Sequence, residues 1–68
     1  MQNEEAMSLE EFTKQCGWAD WRYDMSDDQR AWRRGKNHCE MLKNLAYAMG
    51  GEWLEVYEKA TDRAYGRA

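Results

Sequence analysis

Trp32, Gly35, Cys39, Leu42, Ala46 and Met49 follow one another at intervals of three, four, three, four and three residues. An α-helix brings such positions onto one face, and no strand does. Ala31, Met41 and Leu45 widen this stripe, and the pair "GG" at 50–51 ends it. Its start is written in "SDDQ": Ser26 and Gln29 make a capping-box pattern, and Asp27 and Asp28 suit the positive end of a helix. A helix over about 27–49 is expected, roughly 34 Å long. Gly35 offers a rival reading. "RRGKNHCE" can end one helix at the glycine and cap another at "NHCE", giving helices over about 27–34 and 38–49. The stripe keeps its register across Gly35, which favours one continuous helix. A glycine inside a helix costs roughly 1 kcal/mol against alanine, and is tolerated where another element packs close.

Two shorter helices flank the long one. "SLEE" from Ser8 to Glu11 is a second capping box. Leu9, Phe12 and Cys16 then share a face, and Gly17 fits as a terminator, so a helix over about 9–16 is expected after a frayed leader at 1–7. Beyond Gly50-Gly51, Trp53, Val56, Tyr57, Ala60 and Ala64 form a third stripe, flanked by Leu54, Thr61 and Tyr65. A helix over about 52–65 follows. The short glycine joint makes it the antiparallel neighbour of the long helix. The expected fold is all-α: a single small domain over 1–68, a three-helix bundle, or four helices if Gly35 breaks the second.

Helix lengths give a further expectation. The third helix is shorter than the second by roughly 13 Å, so it leaves the first turns of the second helix, including Trp32, uncovered. "GWADWRYDM" stands in place to cover them. Trp18, Trp21 and Met25 are spaced as one helical turn would place them. An aromatic cluster of Trp18, Trp21 and Trp32, closed by Tyr65 and Phe12, is expected there, each ring burying about 150–250 Å².

The size of the chain makes such a cluster matter, since 68 residues bury a modest share of their surface. The two cysteines, Cys16 and Cys39, allow at most one disulfide. With His38 they are three donors lacking the spacing of a zinc site, and no metal or other cofactor is expected. The N-terminus is acidic and carries no apolar run, so no signal peptide is read. Nothing approaches the roughly 20 apolar residues of a membrane span. The expectation is a soluble cytoplasmic protein with free thiols and no membrane contact.

Charge is divided along the chain. Residues 1–28 carry a net −6, residues 29–45 a net +4, and residues 46–68 a net −1. The basic middle, Arg30, Arg33, Arg34, Lys36 and Lys43, admits phosphate contact. "QRAWRRGKNHCEMLKNLAYA" has the alanine and glycine spacing of a helix-turn-helix. Arg30, Arg34, Lys36 and Asn44 occupy places where that family wants apolar side chains, and the reading is set aside. His38 and Cys39 are adjacent, so on a helix they point about 100° apart and make a poor base and nucleophile. Paired carboxylates sit at helix starts, where capping explains them. No catalytic residue is assigned, and an enzyme is not expected.

Trp, Tyr and Arg dominate the energetics of protein interfaces. The leading expectation is a non-enzymatic protein-protein interaction module that inhibits or recruits a larger protein or complex. Its candidate contact residues are Arg22, Tyr23, Arg30, Arg33, Arg34, Lys36 and Tyr47. A homodimer is compatible with the flanking line of the third helix. In size and composition the chain resembles the small accessory proteins of bacteriophages and mobile elements, anti-defence and host-takeover inhibitors among them. The alternative class is nucleic-acid-related: a weak binder through Arg30 to Lys36, or an acidic mimic through the N-terminal third.

Overall fold

The computed structural model of the chain describes residues 7–66. It is all-helical among those residues: α1 over Leu9–Trp18, a 3-10 turn over Tyr23–Met25, α2 over Gln29–Met49 and α3 over Gly51–Tyr65. The leader expected at 1–7 lies outside the described residues except for Met7.

The long helix is continuous through Gly35, as the unbroken stripe requires. The reason for the glycine is visible above it. A β-carbon at Gly35 would land on Cβ of Tyr23, so only a bare backbone admits the 3-10 turn this close. At the other end Gly50 and Gly51 both take positive φ, +67° and +53°. Side-chain-bearing residues rarely adopt such angles, and this pair turns the chain from α2 straight into α3.

The caps differ in detail from the sequence patterns. The Ser8 hydroxyl accepts from the Glu11 amide at 3.0 Å, but the Glu11 carboxylate accepts from Gln15 Nε2 instead of returning to Ser8. Gly17 does not end α1, which runs one residue further and is capped where the Ala19 amide donates to the Gln15 carbonyl. At α2 the N-cap is Asp28, whose carboxylate accepts from the Arg30 amide at 3.0 Å. Ser26 sits two residues earlier and accepts from the Asp28 amide at 3.2 Å. A carboxylate makes the stronger, charge-assisted cap, so the helix begins at the aspartate.

The core is small and formed from every helix. Phe12 and Leu42 are fully buried, joined by Cys16, Trp21, Cys39, Ala46 and Ala60. The α2–α3 hairpin is antiparallel as expected, with the Tyr47 and Tyr57 rings 5.9 Å apart. α1 packs on α3, where Phe12 meets Trp53 at 4.8 Å. Trp21 drops into the centre: its indole N–H donates to the Cys16 carbonyl at 2.9 Å and its ring meets Tyr57 edge-on at 5.5 Å. The Tyr65 hydroxyl donates to the Trp21 carbonyl at 2.7 Å, tying the end of α3 to the connector.

The expected three-tryptophan cluster is therefore corrected. Trp21 alone is core; Trp18 is 67% exposed and Trp32 37%. The chain leaves helical geometry at Ala19, which is extended, so Trp18 and Trp21 do not share a face. The first turns of α2 are covered, but by the 3-10 turn: Tyr23 lies over Gly35 and meets the Trp32 ring edge-on at 5.6 Å. Phe12 closes nothing there, because it packs at the opposite end of α3.

The result is flat. Its extents are 36 × 32 × 17 Å, the thinnest about half of either of the others. The backbones of α2 and α3 and of α1 and α3 approach closely, whereas α1 and α2 meet mainly through side chains.

Candidate functional site

α2 carries a second run at the same spacing as the first. Ala31, Arg34, His38, Met41, Leu45 and Ala48 are also three, four, three, four and three residues apart, each one position before a member of the core stripe. The core stripe faces α3 and the connector. The second run lines a long open groove on the side of α2 that faces α1.

The groove has two hollows that share Asn37 and Met41. The first lies at the α2 N-terminal half, between Trp18, Ala31, Arg34 and His38. The second runs on past Leu45 and Ala48 to Met7. Side-chain contacts fix the first hollow. His38 Nε2 donates to Gln15 Oε1 of α1 at 2.9 Å, and the Trp18 ring stacks on the His38 ring at 4.7 Å and 29°. Trp18 thus stands at the groove's edge, held in place yet largely in water. Met41, 44% exposed, forms the middle.

Charge is uneven along this groove. Arg34 lines the first hollow and Arg30 lies one helical turn before it on the same side. Among the described residues no carboxylate lies within 4.0 Å of either guanidinium or of Arg33. Asp20 lines the same hollow but stays beyond that reach. Glu40 lines the second hollow.

The residues singled out from sequence divide between two sides of α2. Arg34 lines the groove, and Arg30 lies one turn before it, outside the hollow's lining. Arg33 is exposed beside it. The others lie toward the α3 side: Lys36 Nζ sits 5.4 Å over the Trp32 ring, and the Arg22 guanidinium 5.9 Å over Tyr65. Tyr47 is 61% exposed against Tyr57. Tyr23 is half-buried, and burial, with Glu40 nearby, raises its phenol above the ordinary range. Its ring is engaged in covering α2. Sequence reasoning missed Trp18, His38, Met41 and Leu45 as groove residues. Met41 and Leu45 read from sequence as a widening of the core stripe, and Trp18 as part of the aromatic core.

The adjacent His38 and Cys39 do turn apart. His38 engages α1 while the Cys39 thiol donates to the Asp20 carbonyl at 3.2 Å. Burial pushes both thiols, Cys16 and Cys39, up to about 11. The thiolate is the nucleophilic form, so both groups stay protonated at neutral pH and act as packing. Among the described residues no cluster of three or more His, Cys, Asp or Glu could hold a metal ion, and no helix is long and apolar enough to cross a membrane.

No protein-family model, curated protein or solved structure matches this chain. Its surface chemistry is what bears on function. That chemistry is a largely apolar furrow with a stacked tryptophan at its edge and, at one end, arginines that no carboxylate among the described residues pairs.

Proposed function

We propose that the chain is a non-enzymatic protein-protein interaction module that docks on a larger protein, to inhibit or recruit it, through the open face of α2. The observation that carries this reading is Trp18: a tryptophan stacked on His38, two-thirds exposed, in the same hollow as Met41 and Arg34. Trp and Arg are the residue types that most often anchor interfaces, and Met adapts to a partner surface. Left in water, this group wastes the apolar area that docking would bury. The size and composition also fit small phage or mobile-element accessory proteins that act on a host component.

Arg30, Arg33 and Arg34, exposed and without a carboxylate partner among the described residues, favour nucleic acid as the second reading. A photo-crosslinking residue at Met41, compared with one at Tyr47, separates the two in cells that naturally carry the chain. A discrete protein adduct formed from position 41, lost with Arg34→Glu and stable to rising salt, supports the module. Nucleic-acid adducts that vanish steeply with salt, or no adduct specific to position 41, overturn it.

A further inference from the structure

We infer that Glu11 and Gln15 of α1 are positioning residues: they fix the proton of His38 on Nε2 and, through that ring, seat Trp18 at the edge of the groove. This rests on the interaction-module reading, whose anchor is Trp18, and says what holds the anchor.

Glu11, Gln15 and Trp18 stand at i, i+4 and i+7, on one face of α1. His38 meets that face from α2, hydrogen-bonded to Gln15 and stacked on Trp18. The Gln15 side chain therefore bridges two partners. Its amide has donors at the nitrogen end and an acceptor at the oxygen end, and its neighbours decide which end faces which. Gln15 Nε2 lies 3.0 Å from Glu11 Oε2. A carboxylate only accepts, so the nitrogen end turns to Glu11. The carbonyl is the end left for His38, 2.9 Å from its Nε2. A carbonyl cannot donate, so Nε2 carries the proton. Glu11 thus selects the tautomer of a ring on another helix through one intervening amide.

The bond to Gln15 orients the imidazole, and the Trp18 ring lies on it at 4.7 Å and 29°. With Trp18 two-thirds in water, the imidazole is the one ring it rests on among the described residues. Nε2 bears a proton in the imidazolium as well, so the bond to Gln15 is kept whichever charge the ring carries. Arg34 of α2 and Asp20 of the connector share the hollow with His38, and Glu11 of α1 is one hydrogen bond removed. Trp18 therefore stays seated on both sides of the imidazole titration.

Reversing the charge at position 11 tests this chain of bonds. Glu11→Lys puts a donor where the parent has an acceptor. The Gln15 carbonyl should turn to the ammonium, the amide nitrogen should meet His38, and the ring proton should move from Nε2 to Nδ1. Nitrogen-15 spectra of the imidazole, taken above its titration, distinguish the two tautomers. Nε2–H in the parent and Nδ1–H in Glu11→Lys are expected; Nδ1–H in the parent, or one tautomer in both proteins, overturns the inference. Nuclear Overhauser contacts between the Trp18 and His38 rings read the seat. They should persist in the parent at acid and neutral pH and be lost in Gln15→Leu, with circular dichroism checking that each variant stays folded. Ring contacts that survive in Gln15→Leu show that stacking alone seats Trp18, and overturn the positioning role. Docking has its own readout: a tautomer exchange without a crosslink from position 41 keeps the seat and removes the module, and a crosslink without the exchange does the reverse.

Discussion

The two faces of α2 differ by one residue in register and by everything in environment. Gly35, Cys39, Leu42 and Ala46 are buried; Arg34, His38, Met41 and Leu45, each one position earlier, line an open groove. The spacing is the same. A rotation of about 100° separates a face closed by α3 and the connector from one that α1 covers only in part, at His38. The lesson is that period alone fixes a helix and the number of its faces, while side-chain type says which face the chain itself closes. The inner face has no charge and shrinks where an element crosses it. The outer one mixes arginine, histidine and methionine.

The largest expected contrast is between Leu42 and Met41. Leu42→Ala removes a fully buried side chain and should cost about 2–5 kcal/mol in denaturant unfolding. Met41→Ala should stay within about 0.5 kcal/mol of the parent. Similar costs would mean that the groove is core. Next is Gly35→Ala, where the new β-carbon collides with Tyr23; overpacking should destabilise by about 1–3 kcal/mol. On a Tyr23→Gly background the same change should instead gain roughly 1 kcal/mol from helix propensity. Stabilisation in the parent would show that the 3-10 turn does not press on α2. Tyr65→Phe deletes the bond to the Trp21 carbonyl and should cost about 1 kcal/mol, read as a fall in melting temperature.

The smallest effect concerns pH. Cys39 is raised from 9.0 to about 11 by burial, with Asp20 and Cys16 adding to it. The folded chain then keeps a proton that the unfolded chain releases. This contribution is complete below about pH 9 and declines as pH rises toward the folded value. Cys39→Ala should make the alkaline loss of stability shallower in denaturant titrations. An unchanged slope would place the effect elsewhere.

Much of the scaffold is legible in the sequence because it depends on local rules. The α2 stripe, the glycine joint and the Ser8 cap each follow from a few neighbouring residues. The uncovered start of α2 follows from helix lengths alone, and its cover was located correctly in the connector. Which aromatic does the covering was not legible. That depends on where the backbone leaves α1, one residue past Gly17, and a shift of one residue sends Trp18 outward and Trp21 inward. The groove was hidden for a different reason: its residues obey the helix period, so they merge with the core stripe until α1 and α3 are placed around α2. Of the candidate contacts, Arg30 and Arg34 could be found by charge, whereas Trp18 and His38 needed the stacking between two helices to be seen.

The thinness of the molecule has a consequence for how docking would be felt. With an extent of only 17 Å in one direction, no second layer separates the groove from Leu42 and Cys39 on the same helix. Ligand occupancy and the folding equilibrium are then coupled through α2 itself. A ligand present at about a hundred times its dissociation constant adds roughly 2.7 kcal/mol to the folded state, a large increment for a domain of this size. Any ligand that docks on the folded chain alone would therefore be reported by a shift in melting temperature, without any label.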